Sequence, residues 1–232
     1  MTIKIGFIGA GNMGGAMIAG LAPAKNIKMY ACDPDQDKIE KLSREHGIIP
    51  LSNPLKVAQA CDYVFYAVKP AILESIIEQT KPALNSSKCL ISIAAGIPIC
   101  KLSAWSGNQI PVVRVMPNTP ALIGRGVFAV CFDNELVSAD QKRFIIEIFT
   151  KLGRTFVLPE KSFDAFTALI GSGPAYVYYF MESMIDAGVL LGLERKEVAE
   201  MVKELFAGSS QMSLQQDTTH ITQLKEMVTS PG

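Results

Sequence analysis

Over the first two thirds of the chain, short apolar runs alternate with stretches whose apolar positions recur at helical spacing. Ile3–Ile8 is followed by a helical pattern from about Asn12, Ile27–Ala31 by Asp35–His46, Tyr63–Val68 by Ala71–Lys81, and Cys89–Ile93 by Ile99–Trp105. A short third strand before Asn53 completes the series. This is the βαβ rhythm of a doubly wound parallel sheet with helices on both faces. Val112–Met116 and Val127–Phe132 continue as strands, Ala139–Leu152 reads as a helix, and Thr155–Leu158 as the last, edge strand.

The pattern changes near Leu158–Pro159, after which no strand-like alternation appears. Phe163–Ile170 is apolar and helical, and Gly171-Ser172-Gly173 breaks it. Pro174 then stands where proline is best tolerated, in the first turn of a new helix running to about Asp186. Gly188 and Gly192 punctuate the next turn. Arg195–Leu214 carries Val198, Met201, Val202, Leu205 and Phe206 at helical spacing, and a last short helix covers about Ile221 to Val228. The fold expected is α/β: a Rossmann-type sheet domain over 1–158, then a smaller all-α domain over 159–232. The second part is too short for a comfortable core of its own, so it is expected to pack on a partner subunit.

Composition narrows the functional classes. Of 232 residues, 49% are hydrophobic, enough for a sizeable core, and Lys+Arg and Asp+Glu each number 22. That balance lacks the basic footprint of a nucleic-acid binder and favours a small-molecule ligand. The five cysteines, at 32, 61, 89, 100 and 131, are spaced widely in apolar surroundings, which predicts reduced core residues and no metal site. The N-terminus lacks a signal-peptide pattern, and no apolar run is long enough to cross a bilayer, so a soluble cytoplasmic protein without a membrane partner is expected.

The candidate chemistry begins at IKIGFIGAGNMG, where Gly9, Gly11 and Gly14 form G-x-G-x-x-G directly after a strand and at the opening of a helix. Gly9 permits the turn, Gly11 lets backbone approach a pyrophosphate, and Gly14 lets helix pack closely on strand. Ala10, Asn12 and Met13 complete a loop whose N–H groups face the anion. Asp33 stands at the end of the second strand, nineteen residues past Gly14, where a carboxylate accepts hydrogen bonds from the adenosine ribose; the alternative is that it caps the following helix. Lys38 and Arg44 lie near enough in sequence to offset its charge. Three further loops fall at strand ends: Asn53, Ala67-Val68-Lys69-Pro70, and Ala94-Ala95-Gly96, whose small residues let a flat ring approach. The cofactor expected is NADP(H) or NAD(H).

Hydride transfer requires a nicotinamide held against an electrophilic carbon with water excluded. Reduction of a ketone or oxidation of an alcohol also needs a proton donor or acceptor, and His46 and His220 both fall on polar, solvated stretches. An imine removes that need, because it enters already protonated. Tyr176, Tyr178 and Tyr179 sit in a helical aromatic run that reads as core or interface.

Taken together, FIGAGNMG, AVKP at Ala67–Pro70, SIAAG at Ser92–Gly96, RVMPNTPAL at Arg114–Leu122, GSGPAY at Gly171–Tyr176 and LKEMVTSPG at the end resemble the pyrroline-5-carboxylate reductases. The resemblance runs in order from Gly6 to Gly232. It implies reduction of 1-pyrroline-5-carboxylate to L-proline with NADPH or NADH, and a helical domain that pairs with a second subunit to form the substrate site. It also implies that the glycine loop, Asn53, Ala67–Pro70 and Ala94–Gly96 line the dinucleotide, with Asn118, Thr119 and Pro120 near the nicotinamide and Glu160 near the substrate side. Ser230, Pro231 and Gly232 match the start of the family's substrate loop.

Two departures bear on these expectations. The sequence ends on that Ser-Pro-Gly turn, where the family continues with a catalytic threonine and more helices, which implies weak or no turnover for this polypeptide. Asp33 stands where members favouring NADPH commonly carry Ser or Thr, which points towards NADH. Two rival readings are a β-hydroxyacid-type dehydrogenase, whose lysine after the glycine break is absent from GSGPAYVYYFMES, and a catalytically silent dinucleotide sensor.

Overall fold

The computed structural model describes residues 2–216 and 218–230. Eight strands form one sheet: β1 (Ile3–Ile8), β2 (Ile27–Cys32), β3 (Ile49–Pro50), β4 (Tyr63–Tyr66), β5 (Cys89–Ser92), β6 (Val112–Met116), β7 (Gly126–Cys131) and β8 (Gly153–Val157). Between them lie α1 (Asn12–Leu21), α2 (Gln36–His46), α3 (Pro54–Ala60), α4 (Pro70–Thr80), α5 (Ile99–Ser106) and α6 (Ala139–Thr150). The strand order is β3-β2-β1-β4-β5-β6-β7-β8, so the winding reverses between β1 and β4 and opens a crevice at their carboxyl ends.

All pairings are parallel except β6 with β7, which is antiparallel. The sheet is therefore mixed, not wholly parallel. The physical reason is connection length: β6 reaches β7 through a single 3-10 turn over Thr119–Ile123, too short for the crossover that a parallel partner requires.

Strand residues alternate between two cores, one on each face. Ile5, Phe7, Phe65, Ile91, Val113, Val115 and Phe128 meet Met17, Ile18 and Leu21 of α1 and Ile145, Ile148 and Phe149 of α6. Ile8, Val64, Tyr66, Leu90, Val112 and Ala129 meet Val57 of α3, Leu73 and Ile77 of α4 and Leu102 of α5. Burial on both sides is why these strands read as unbroken apolar runs. Phe7 stacks on Phe65 at 4.8 Å between ring centroids, and Phe149 meets Phe65 and Phe128 at 5.9 and 5.0 Å.

The expected break at Gly171–Gly173 is smaller than the sequence suggests. A short helix α7 (Phe163–Phe166) continues directly into a π-helical turn over Thr167–Gly171; Ser172 bends, and α8 (Gly173–Leu190) begins at once, running past the expected end at Asp186. Phe163 and Phe166 enter the second core, which draws the residues after Pro159 onto the sheet. One compact unit accordingly spans residues 1–174 and the other 175–232, a division that falls later than the change in sequence pattern at Leu158–Pro159.

The second unit holds most of α8 together with α9 (Arg195–Gln215) and α10 (Ile221–Glu226). Gly188 of α8 lies so close to α9 that a Cβ there would come within 2.4 Å of the Val198 side chain. Arg195 Nη2 donates to Asp186 Oδ1 at 2.6 Å, and Phe180 meets Phe206 edge-on at 5.8 Å. Tyr178, Tyr179, Phe180, Leu205 and Leu214 remain exposed within this chain. The cysteines differ from expectation at one position. Cys32, Cys61, Cys89 and Cys131 are buried, but Cys100 is exposed, because the core-facing positions of α5 are its neighbours Ile99 and Leu102.

Candidate functional site

Backbone ladders bring the strand ends together at the carboxyl edge. Gly9 N–H donates to Cys32 O at 2.9 Å, Ala67 N–H to Ile8 O at 2.9 Å, and Ile93 N–H to Tyr66 O at 3.3 Å. The chain then turns at Gly9 with φ 97°, and a Cβ there would stand 2.5 Å from the Ala67 carbonyl oxygen. Both facts demand glycine. At Gly14 a Cβ would stand 2.3 Å from Gly9 O, so the first turn of α1 rests directly on the loop.

Gly11 is different: apart from its chain neighbours, a Cβ there would meet no atom of the described residues within 4 Å. It caps α1 with no side-chain hydrogen bond, and Gly11, Asn12 and Met13 at that helix end line a cleft. Uncapped N–H groups at a positive helix end, beside backbone that needs no room of its own, fit the pyrophosphate of a dinucleotide.

On one side of Gly11 lies a cleft of about 510 Å³, lined by Gly9, Gly11, Cys32, Asp33, Pro34, Gln36, Ser52, Asn53, Ala67, Val68, Lys69 and Ile72 among others. Asp33 shapes it with both carboxylate oxygens. Oδ2 accepts the Ala10 N–H at 2.7 Å, tying the glycine loop to β2, and Oδ1 accepts the Asp35 N–H at 2.9 Å. Gln36 Nε2 donates to the Asp33 carbonyl at 3.1 Å.

The cap of α2 is not Asp33 but Asp35, which accepts the Lys38 N–H at 3.2 Å and pairs with Lys38 Nζ at 2.8 Å. The Lys38 side chain holds the Asp35 carboxyl below its usual range, and Asp35 raises the Lys38 ammonium in turn. Lys38 is thus engaged away from Asp33. Burial, then the Asp33 charge, pushes the Cys32 thiol up to about 12, so it stays neutral at the cleft floor. Asn53 caps α3 through Oδ1, which accepts the Lys56 N–H at 2.9 Å.

On the other side lies a cleft of about 550 Å³. It shares Gly11, Ala67, Val68 and Lys69 with the first and adds Asn12, Met13, Pro70, Ala94, Ala95, Asn118 and Thr119. Ile93, Met116, Pro117 and Gly171, which the sequence reading did not assign to the site, also line it. Lys69 is the one titratable side chain among these described residues. Asn118 is buried and its amide is committed on both sides: Oδ1 accepts the Val127 N–H at 2.8 Å and Nδ2 donates to Ile170 O at 3.3 Å. Ala10 and Gly14 lie buried beneath the loop, and Gly96, φ 74°, follows the lining residues Ala94 and Ala95.

Glu160 does not line either cleft. Its Oε1 accepts Arg114 Nη1 at 3.0 Å and the Ile99 N–H at 2.7 Å, and its own N–H donates to Asp133 Oδ2 at 2.8 Å. Ser230 is exposed in the second compact unit, and Pro231 and Gly232 lie outside the described residues. Met116 and Gly171 stand inside or beside motifs quoted from the sequence. What singles them out is only their position, at the carboxyl end of β6 and at the close of the π turn.

Three comparisons bear on the arrangement. Residues 160–232 match the family model described as pyrroline-5-carboxylate reductase dimerisation, and residues 4–96 match that of NADP oxidoreductase, coenzyme F420-dependent. Among curated proteins, the pyrroline-5-carboxylate reductase of Escherichia coli is 36% identical over the whole of this chain and 87% of its own length. Among solved structures, a Plasmodium falciparum pyrroline carboxylate reductase with NADP bound is 39% identical. It superposes with a TM-score of 0.87 over 99% of this chain and 85% of its own. A pyrroline-5-carboxylate reductase from Coxiella burnetii is 30% identical and gives 0.90 over 100% of this chain and 87% of its own.

Proposed function

The chain belongs to the pyrroline-5-carboxylate reductase family, and from that premise we propose that it reduces 1-pyrroline-5-carboxylate to L-proline. The likeness to named reductases along the entire chain carries this reading. A dinucleotide held by the site residues, NADPH or NADH, would supply the hydride that the imine carbon accepts. As that C–H bond forms, the C=N π pair moves onto the protonated nitrogen, giving the secondary amine of proline and the oxidised cofactor. Atoms and charge balance without a further proton donor at the reacting centre, which agrees with a second cleft whose described lining residues in this chain include one titratable group, Lys69.

The chain's own residues bind, orient and exclude water. The Gly9–Gly14 loop and the first turn of α1 hold the pyrophosphate, with Ala10 fixed in place by Asp33. Asp33 also faces the adenosine ribose, and Asn53 and Lys69 border that half. Ala94 and Ala95, with Gly96 after them, would give a nicotinamide ring room in the second cleft, whose lining also includes Val68, Pro70, Met116, Asn118 and Thr119. Asn118 serves by holding its loop, since its amide is already bonded within the chain. Ser230, with Pro231 and Gly232 outside the described residues, belongs to the sequence motif assigned to the substrate carboxylate. A second copy completes the site through the region matched by the dimerisation model, and the enzyme works in the cytoplasm as a homodimer or larger homo-oligomer on small-molecule partners alone.

The test is the loss of reduced-nicotinamide absorbance on mixing the protein with 1-pyrroline-5-carboxylate, run with NADH and with NADPH. Oxidation that needs the imine supports the reading. Saturable dinucleotide binding with no imine-dependent oxidation, both by this chain and by one extended with a family-like tail, contradicts it and describes a sensor instead.

A further inference from the structure

Arg114 is a buried cation in the middle of β6. Its side chain is only 7% exposed, its guanidinium lies 4.7 Å from the centroid of the fully buried Phe163 ring, and its carboxylate partner Glu160 is 27% exposed. A buried ion pair is weak support for stability, because an apolar side chain of similar volume would fill the same space at no loss. What an ion pair adds is direction. Here one oxygen, Glu160 Oε1, receives both Arg114 Nη1 and the Ile99 N–H, so a single atom joins β6, the start of α5 and the segment that enters α7. The Glu160 N–H to Asp133 Oδ2 contact fixes the backbone on the same spot.

That segment then runs along β6 towards the second cleft. Alternation along a strand puts Arg114 and Met116 on one face. Phe163 covers Arg114, and at the far end a Cβ on Gly171 would stand 2.8 Å from Met116 Cε. Ile170 O takes the Asn118 amide, and the π turn over Thr167–Gly171 sets which carbonyl presents itself there. The segment is therefore pinned twice, at Glu160 on Arg114 and at Ile170 on Asn118. The residues at its second pin, Met116, Asn118 and Gly171, form one wall of the cleft assigned to the nicotinamide.

We propose that the Arg114–Glu160 pair is a positioning element for hydride transfer, fixing residues 160–171 along β6 and so the wall against which the nicotinamide ring stands. This rests on the reductase reading above. Neither side chain touches the cleft, so neither is catalytic. The pair acts through Met116, Asn118 and Gly171.

Glu160→Gln keeps an oxygen for the Ile99 N–H and removes the charge that orients Arg114. With the whole protein, kcat should fall by about tenfold to a hundredfold, the scale expected when reacting atoms are displaced by about 1 Å. KM for the dinucleotide should stay within about twofold, because its phosphates and adenosine are held elsewhere. The isotope effect with a dinucleotide deuterated at the transferring carbon should rise as hydride transfer becomes limiting. The double variant Arg114→Met with Glu160→Gln should regain stability without regaining kcat. Loss of stability with kcat and isotope effect unchanged, or a double variant that recovers both together, overturns the proposal. Should Glu160→Gln fail to fold, Glu160→Asp decides by the same three readings, since it keeps the charge one methylene shorter. Should the unaltered protein fail to oxidise cofactor with the imine, the reductase reading falls separately. The wall is then tested by the emission of bound reduced nicotinamide, which Glu160→Gln should shift at unchanged dissociation constant; unchanged emission contradicts the proposal.

Discussion

Asp33 has two tasks at the end of β2. It holds the Ala10 N–H at 2.7 Å and the Asp35 N–H at 2.9 Å, so the glycine loop takes its shape before any ligand arrives, and it places negative charge where an adenosine ribose would lie. A ribose hydroxyl donates to such a group, while a 2′-phosphate meets repulsion. Lys38, the nearest candidate to offset that charge, is already paired with Asp35. Asp33→Ser removes the repulsion and shortens the reach to both N–H groups. The ratio of kcat/KM for NADPH to that for NADH should rise by about tenfold or more, the change that about 1.4 kcal/mol produces. Steady-state kinetics with both cofactors checks this, and an unchanged ratio would mean that Asp33 serves the loop alone. The sequence pointed to Asp33 through its strand end and its distance from Gly14, but its grip on Ala10 was not legible, since that contact spans 23 residues and depends on β1 and β2 lying side by side.

At the scale of strands and helices, burial on both faces of the sheet governs both legibility and chemistry. The runs Ile3–Ile8 and Val112–Met116 were readable because each face is covered, and Asn53 was readable as a strand-end loop residue, though not as the cap of the helix that follows. The direction of β7 was not readable from periodicity, which is the same up or down a strand; only the short connection after β6 discloses it. The π turn was likewise hidden, because an added residue per turn leaves the residue types unchanged. The same burial lifts the thiols of Cys61 and Cys131 from 9.0 to about 12, pushes Cys89 upward as well, and raises the Tyr63 phenol to about 12. In each case the unfolded chain ionises first. These groups therefore contribute stability that is full below about pH 9 and is lost as pH climbs towards the folded values. Lys88, lowered by burial, opposes part of this. The urea midpoint should fall steadily from about pH 8.5 to about pH 11, with a shallower slope in Cys89→Ala; a flat midpoint over that range contradicts the account.

At the scale of the whole molecule, the two compact units divide the work. Residues 1–174 carry both clefts, and residues 175–232 carry exposed apolar side chains on α8 and α9, with Tyr179 72% exposed. A face of that kind on a region matched by a dimerisation model calls for a second copy of the chain. Light scattering across micromolar concentrations should give a dimer or larger species, and Tyr179→Glu should shift it towards monomer. A monodisperse monomer throughout would contradict the assembly. In the reaction proposed for this protein, hydride passes from the dinucleotide to the imine carbon of 1-pyrroline-5-carboxylate. This transfer is tested most directly by supplying NADH or NADPH deuterated at the transferring carbon and reading the product by mass spectrometry and NMR. L-proline should carry one deuterium, on the ring carbon next to nitrogen that was the imine carbon. Unlabelled proline, or no proline from this chain and from one extended with a family-like tail while the dinucleotide binds, would contradict the transfer.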